Sequence, residues 1–136
     1  MHWENTEKIA KGNNFLSIHP MVKESKEWQS IQNNFFKTMP KAQIVEIVRI
    51  QNRLIWNTYQ TEINNFQTSK GEPPKVTMLY HGTRHTDPRN IYEGKEGFDM
   101  RFSTPGGMWG QANYFAVNAS YSDNYHHEVT NVEGLK

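Results

Sequence analysis

The residues with chemical potential in this 136-residue chain are concentrated in its second half. His81-Gly82-Thr83 places an imidazole beside a residue with no side chain; the segment Pro105-Gly-Gly-Met-Trp-Gly110 is rich in glycine; Tyr114, Phe115, Tyr121 and Tyr125 crowd aromatic rings into twelve positions around Ser122; and His126-His127 pairs two more imidazoles. Taken singly, each has a plain reading. A lone His-Gly-Thr fits a structural histidine. The glycine segment matches neither G-x-x-x-x-G-K-[ST] nor G-x-G-x-x-G, which excludes a phosphate loop and a dinucleotide fingerprint. Aromatic residues at helical spacing serve a core. Ser122 lies outside any G-x-S-x-G context, so a hydrolase triad has no support. Adjacent histidines on a helix point in different directions, and no H-E-x-x-H accompanies them, so a metal site is not expected.

These residues need elements to position them. Residues 1–24 are polar, contain Pro20 and show no periodicity, which predicts a flexible leader. From Ser25, a helix cap, Trp28, Ile31, Phe35 and Phe36 recur at helical steps until Pro40. Ile44-Val-Glu-Ile-Val-Arg-Ile50 is dominated by β-branched residues and predicts a strand, ended by Asn52, which can cap the next element. Trp56, Tyr59, Ile63 and Phe66 form one stripe of a helix over 53–66. After the turn-rich Thr68-Ser-Lys-Gly-Glu-Pro-Pro74, Val76-Thr-Met-Leu-Tyr80 predicts a strand that delivers His81 to its end. Asp87-Pro88 starts a short helix through Tyr92. Tyr114-Phe-Ala-Val117 predicts a short strand, and Asn118 caps a helix carrying Ala119, Ser122 and Tyr125.

Composition restricts the function classes. Fifteen Lys+Arg against 14 Asp+Glu leave no net field to draw the chain to nucleic acid or a membrane surface. The absence of cysteine removes thiolate nucleophiles, disulfides and Cys-based zinc sites, and fits a cytoplasmic or nuclear location. No stretch approaches the roughly 18 apolar residues of a membrane span. Hydrophobic residues make up 35% of the chain and aromatic ones 12%, so its core must lean on rings. One domain over 25–136 is expected, with no internal repeat; no feature specifies an oligomeric state.

The order of the weak features is more specific than any of them. Leu79-Tyr-His-Gly-Thr83, Gly97-Phe-Asp-Met-Arg101, Gly107-Met-Trp-Gly-Gln-Ala-Asn-Tyr-Phe-Ala116 and Ala119-Ser-Tyr-Ser-Asp-Asn-Tyr125 resemble, in sequence order, the catalytic core of the poly(ADP-ribose) polymerase family. Upstream, Phe36-Lys-Thr38 and Arg49-Ile-Gln-Asn52, followed by Trp56 and Tyr59, resemble the opening elements of its mono-ADP-ribosylating branch, so that the likeness spans about residues 25–126.

This resemblance implies an α+β fold, a split and mostly antiparallel sheet with flanking helices, and an enzyme that transfers ADP-ribose from NAD+ to an acceptor, a protein, with release of nicotinamide. NAD+ is then a substrate and no metal is needed. His81 and Tyr114 match the family's catalytic pair. His81 would hydrogen-bond the adenosine ribose, Gly82 would pair its backbone with the nicotinamide carboxamide, Ser122 would bond the same group, Tyr125 would stack on the ring and Tyr114 would pack its other side. Thr83, Phe115 and Ala116 join the binding set from the same motifs. The likeness departs at Trp109, where Tyr or Phe is usual, and at Ala112, often Gly. The family's third motif residue, Glu in polymer-forming members and often aliphatic in mono-transferring ones, lies further along than Lys136; Glu128 stands at the wrong place in the order to replace it. The expectation is therefore a domain incomplete at its C-terminal side, with unpaired sheet edges. Beside the enzyme reading stand a catalytically inactive fragment that binds NAD or nicotinamide and an interaction fragment whose rings are only core.

Overall fold

A computed structural model describes residues 15–99, 101 and 110–129. The elements run β1 (Leu16–Pro20), α1 (Lys26–Phe36), β2 (Val48–Asn52), α2 (Arg53–Lys70), α3 (Arg89–Tyr92) and α4 (Ala119–Asp123). The architecture is α+β: a two-stranded antiparallel sheet with α1 connecting its strands and further helices following β2. The described chain divides into two units, one of residues 15–32 and 43–77 and one of residues 33–42, 78–99, 101 and 110–129.

In the first unit β1 and β2 pair with Leu16 opposite Asn52 and Pro20 opposite Val48. The ladder is continued at both ends by the Arg53 N–H to the Phe15 carbonyl (2.7 Å) and the Met21 N–H to the Ile47 carbonyl (2.8 Å). Residues 16–20 are thus a strand and not part of a flexible leader; Leu16 and Ile18 alternate with Ser17 and His19, but over five residues that end in Pro20 the alternation is too brief to mark a strand without its partner. Residues 1–14 lie outside the described residues. β2 also begins later than the β-branched run over 44–50 implies. Its partner ends at Pro20 and turns through Lys23 and Glu24 into α1, so residues 44–46 have no neighbouring strand to bond among the described residues.

Capping follows the sequence closely. The Ser25 hydroxyl accepts the Trp28 N–H at 3.1 Å and starts α1, and Trp28, 3% exposed, is its buried anchor. Its indole N–H donates to the Gln32 side-chain oxygen, and Glu27 pairs with Arg49 of β2. Asn52 Oδ1 accepts from both the Leu54 and Ile55 N–H groups at 3.1 Å, so one side chain closes β2 and opens α2. That helix runs one turn beyond Phe66 and stops at Gly71, whose φ of 77° is the left-handed position that glycine adopts without strain and whose N–H returns to the Gln67 carbonyl.

Residues 76–79 form no ladder: their exposed side chains, Met78 at 84%, meet no strand among the described residues, and in the second unit only Tyr80 bridges, antiparallel, to Ala116. The strand expected over 114–117 is likewise reduced to that bridge. β-propensity describes a side chain's fit to a pleated neighbour, and without the neighbour it makes no strand. α3 starts beneath Asp87, whose carboxylate accepts from the Arg89 N–H (3.0 Å) and from its guanidinium (2.8 Å). No helix among the described residues is long and apolar enough to cross a membrane.

Two outcomes test these local accounts. Asn52→Ala leaves two buried N–H groups without their acceptor and should lower stability by about 1–2 kcal/mol, read as a lower urea midpoint; an unchanged midpoint would refute the double cap. The bonds from Arg89, side chain first and backbone second, hold the Asp87 carboxyl down from 3.8 to about 2. Because the folded value is depressed, this pairing supports the fold above the ordinary carboxylate range and its contribution is lost as pH falls through about 2. A carboxyl carbon NMR titration should find that midpoint, and Arg89→Met should raise it toward 3.8.

Candidate functional site

All the sequence-predicted site residues fall in the second unit, and the bridge between Tyr80 and Ala116 explains how several of them meet. Its two bonds, Tyr80 N–H to the Ala116 carbonyl (2.7 Å) and Ala116 N–H to the Tyr80 carbonyl (2.9 Å), fix an antiparallel register. One step forward from Tyr80 is therefore one step back from Ala116, which sets His81 beside Phe115 and Tyr114. The His81 and Phe115 rings stand 5.2 Å apart, and His81 Nδ1 lies 2.7 Å from the Tyr114 carbonyl oxygen. A carbonyl only accepts, so Nδ1 carries the proton and, in the uncharged ring, Nε2 is the acceptor nitrogen. Phe98 completes the cluster, edge-on to both rings at 4.8 Å.

Gly82 explains the second half of the arrangement. A Cβ built on it would stand 2.5 Å from the Ser122 carbonyl oxygen and 2.7 Å from the Tyr125 carbonyl carbon, with the Tyr125 carbonyl oxygen closer still. The bare backbone at residue 82 thus lies directly on the turn that ends α4, a contact open to no other residue. Two residues on, the Arg84 N–H donates to the Tyr125 carbonyl at 2.7 Å, and His127 Nδ1 donates to the Arg84 carbonyl at 2.6 Å. Thr83, half-buried, begins the tight turn in which its carbonyl accepts the Thr86 N–H.

α4 is shorter than the sequence pattern suggests. It ends at Asp123, so Tyr125 sits in the following turn, held by its N–H to the Ser122 carbonyl at 2.9 Å. Asn118 makes no capping bond with its side chain; the Ser120 N–H is instead met by the Thr38 hydroxyl at 3.2 Å. The last turn of α1 supports Tyr80, whose hydroxyl donates to the Asn34 side-chain oxygen at 2.7 Å and whose ring meets Phe35. Burial is confined to small residues here, Ala116 and Ala119, while Tyr114, Phe115, Tyr121 and Tyr125 are exposed. The Tyr114 hydroxyl bonds the Gly110 carbonyl. Tyr125 meets Tyr121 at 5.9 Å and the Arg84 guanidinium at 5.8 Å. A hydrogen bond with Tyr125 holds the Tyr121 phenol above its ordinary range. Among the described residues no cluster of His, Asp and Glu side chains could hold a metal ion. The glycine-rich loop over 102–109 lies outside the described residues.

The site is therefore a histidine with one nitrogen committed to the scaffold, next to a glycine pressed on a serine and tyrosine turn. Residues 25–135 match the sequence family described as the poly(ADP-ribose) polymerase catalytic domain. The chain belongs to that family. A Dictyostelium discoideum protein named "Probable poly [ADP-ribose] polymerase" is 38% identical over 119 residues, 84% of this chain and 35% of that protein. The human protein mono-ADP-ribosyltransferases PARP14 and PARP11 are 27% and 29% identical, over 99% and 91% of this chain. The chain spans about a third of the Dictyostelium protein and of PARP11, and 7% of PARP14.

Within this polymerase-family chain, the partners that sequence reading did not place in the site are Phe98, Arg84, His127, Tyr121 and Thr38. Phe98 stood in a quoted motif, but its contacts with His81 and Phe115 link positions 17 apart, beyond any local period. Arg84 carried no signal, because its place rests on backbone conformation, and His127 stood out only as half of a histidine pair weighed for a metal, not as a donor to the Arg84 carbonyl.

Gly82→Ala should destabilise the chain by at least about 2 kcal/mol, because the added methyl meets backbone atoms that cannot step aside. Gly94→Ala, whose Cβ would lie 3.4 Å from the Asn90 carbonyl oxygen, should change stability by under about 0.5 kcal/mol and serves as the control. Equal thermal denaturation curves for the two variants would refute the close approach at residue 82.

Proposed function

We propose that this chain carries the NAD-binding part of an enzyme that transfers single ADP-ribose units from NAD+ to an acceptor side chain of a protein. The observation that carries the reading is the joint placement of His81 and Gly82: the imidazole bonds the Tyr114 carbonyl while the neighbouring backbone lies on the Ser122–Tyr125 turn. Three separate motifs thereby come to one place, and Phe98, edge-on to His81, brings in the fourth, in a chain of this family. The single-unit reading draws on the relatives named mono-ADP-ribosyltransferases.

The chemistry divides among the residues as follows. His81, its Nδ1 proton engaged by the scaffold, offers Nε2 as acceptor to a ribose hydroxyl of NAD+. Gly82 offers backbone groups, and Ser122 its hydroxyl, to the nicotinamide carboxamide. Tyr125 and Tyr114 supply aromatic faces for the flat ring, and Thr83, Phe115 and Ala116 complete the wall. In the reaction the bond between the ribose carbon and the nicotinamide nitrogen breaks, its electron pair leaves with nicotinamide and neutralises the ring's positive charge. An acceptor heteroatom bonds to the same carbon and loses its proton. The residues assist by holding the substrate in the orientation from which that bond opens.

Calorimetric titration of the 136-residue chain separates the roles. Nicotinamide should bind the wild type and bind Tyr125→Ala about ten-fold more weakly, the loss of one stacking partner. His81→Ala should leave nicotinamide affinity nearly unchanged and weaken NAD+ by about two- to ten-fold, the loss of one hydrogen bond. A folded wild-type chain that binds neither ligand would defeat the proposal. Transfer itself should label an acceptor protein with a single increment in intact mass; a ladder of increments would overturn the single-unit reading.

A further inference from the structure

Arg84 is the one non-glycine among the described residues with a left-handed backbone, φ 50°. An arginine there is strained, because its Cβ crowds the following carbonyl. Such strain persists where surrounding contacts over-determine it, and here three do. The Arg84 N–H donates to the Tyr125 carbonyl at 2.7 Å, the Arg84 carbonyl accepts from His127 Nδ1 at 2.6 Å, and the guanidinium carbon stands 5.8 Å from the centroid of the Tyr125 ring. The first two contacts require only a backbone. Glycine would make both without strain, and asparagine tolerates the same conformation. Neither would bring a guanidinium over Tyr125, at a separation where cation–π attraction acts.

We propose that Arg84 is a positioning residue: its strained backbone places the guanidinium against Tyr125 and fixes that exposed ring in the orientation that receives a flat aromatic ligand. The inference rests on the reading of Tyr125 as the ring that stacks on nicotinamide. It adds how the ring is held. Tyr125 follows α4 in a turn and is 37% exposed, so neither a helix nor a packed core restricts its rotamers. Tyr121 touches it at 5.9 Å from the same short segment. Arg84, 41 positions earlier, is the contact that ties the ring to the segment carrying His81 and Gly82. A ring ordered before the ligand arrives forfeits less rotamer freedom on binding.

The test is calorimetry with nicotinamide on the full 136-residue chain, for the wild type and for Arg84→Gly, Arg84→Asn and Arg84→Lys, each paired with a thermal melt. Nicotinamide is uncharged, so deleting a positive charge does not by itself alter its affinity. Arg84→Gly and Arg84→Asn should melt at or above the wild-type temperature, since both relieve the strain, and yet bind nicotinamide about three- to ten-fold more weakly. Arg84→Lys, which keeps a cation on the side chain, should fall between. Unchanged affinity in both Arg84→Gly and Arg84→Asn overturns the proposal, as does a melting temperature that drops in both, which would make Arg84 a structural residue. A folded wild type that does not bind nicotinamide removes the reading of Tyr125 and the inference with it, whereas a wild type that binds beside variants that bind equally well removes Arg84 alone.

Discussion

The bare backbone at Gly82 is the constraint on which the second unit depends. Any side chain there would strike the carbonyl groups of Ser122 and Tyr125. With none, the segment from Tyr80 to Arg84 is tied at three successive points: Tyr80 to Ala116, His81 to Tyr114 and Arg84 to Tyr125. Five residues thus gather two stretches more than thirty positions further along the chain. The bridge at Tyr80 sets the register, the glycine allows contact with the turn after α4, and His81 has its ring orientation decided by both. A site assembled this way is positioned by main-chain bonds, which carry less freedom than side chains on a surface.

The support for this arrangement is polar and aromatic. Asn34 and Phe35 hold Tyr80, and Thr38 satisfies an N–H in the first turn of α4 that Asn118 leaves unmet. Ala116 and Ala119 are small enough to be buried where the segments approach closely, while the larger rings pack edge to face and remain partly accessible. The economy suits a chain with 35% hydrophobic residues. In the first unit the same role falls to Gln51 and Asn52, two buried polar residues in β2, one of which caps α2.

What could be read in advance from the residues followed a physical rule. Signals local to a helix were mostly legible: Ser25 and Asn52 as caps, the stripes that mark α1 and α2, and Asp87 at the start of α3, while the cap expected at Asn118 makes no side-chain bond. Signals that need a partner were not. Leu16–Pro20 carries only two turns of the apolar–polar alternation yet forms a strand because Val48–Asn52 lies beside it, and Val76–Leu79 has strong β-propensity yet forms none because no strand lies beside it among the described residues. The site divides in the same way. Its candidate residues came from the order of four motifs, a property of sequence; the close approach at Gly82 did not, since steric exclusion by a turn forty residues later leaves no local trace. Arg84 was invisible because a strained φ is not a composition.

The separation of duties on His81 gives the site its logic. One ring nitrogen is used to hold the imidazole on the Tyr114 carbonyl, and this fixes which nitrogen can accept from a ligand hydroxyl. The charged groups nearby are spent differently. Asp87 with Arg89, and Arg101 with Asp99 and Glu96, are short-range pairs along the chain, each meeting the opposite charge within five residues. Paired with opposite charge, they project little field toward His81. What the described residues bring to a substrate is therefore geometry: an oriented acceptor, a glycine backbone beside it and aromatic faces around it. In the proposed transfer that contribution is orientation, holding the ribose–nicotinamide bond in line with the acceptor.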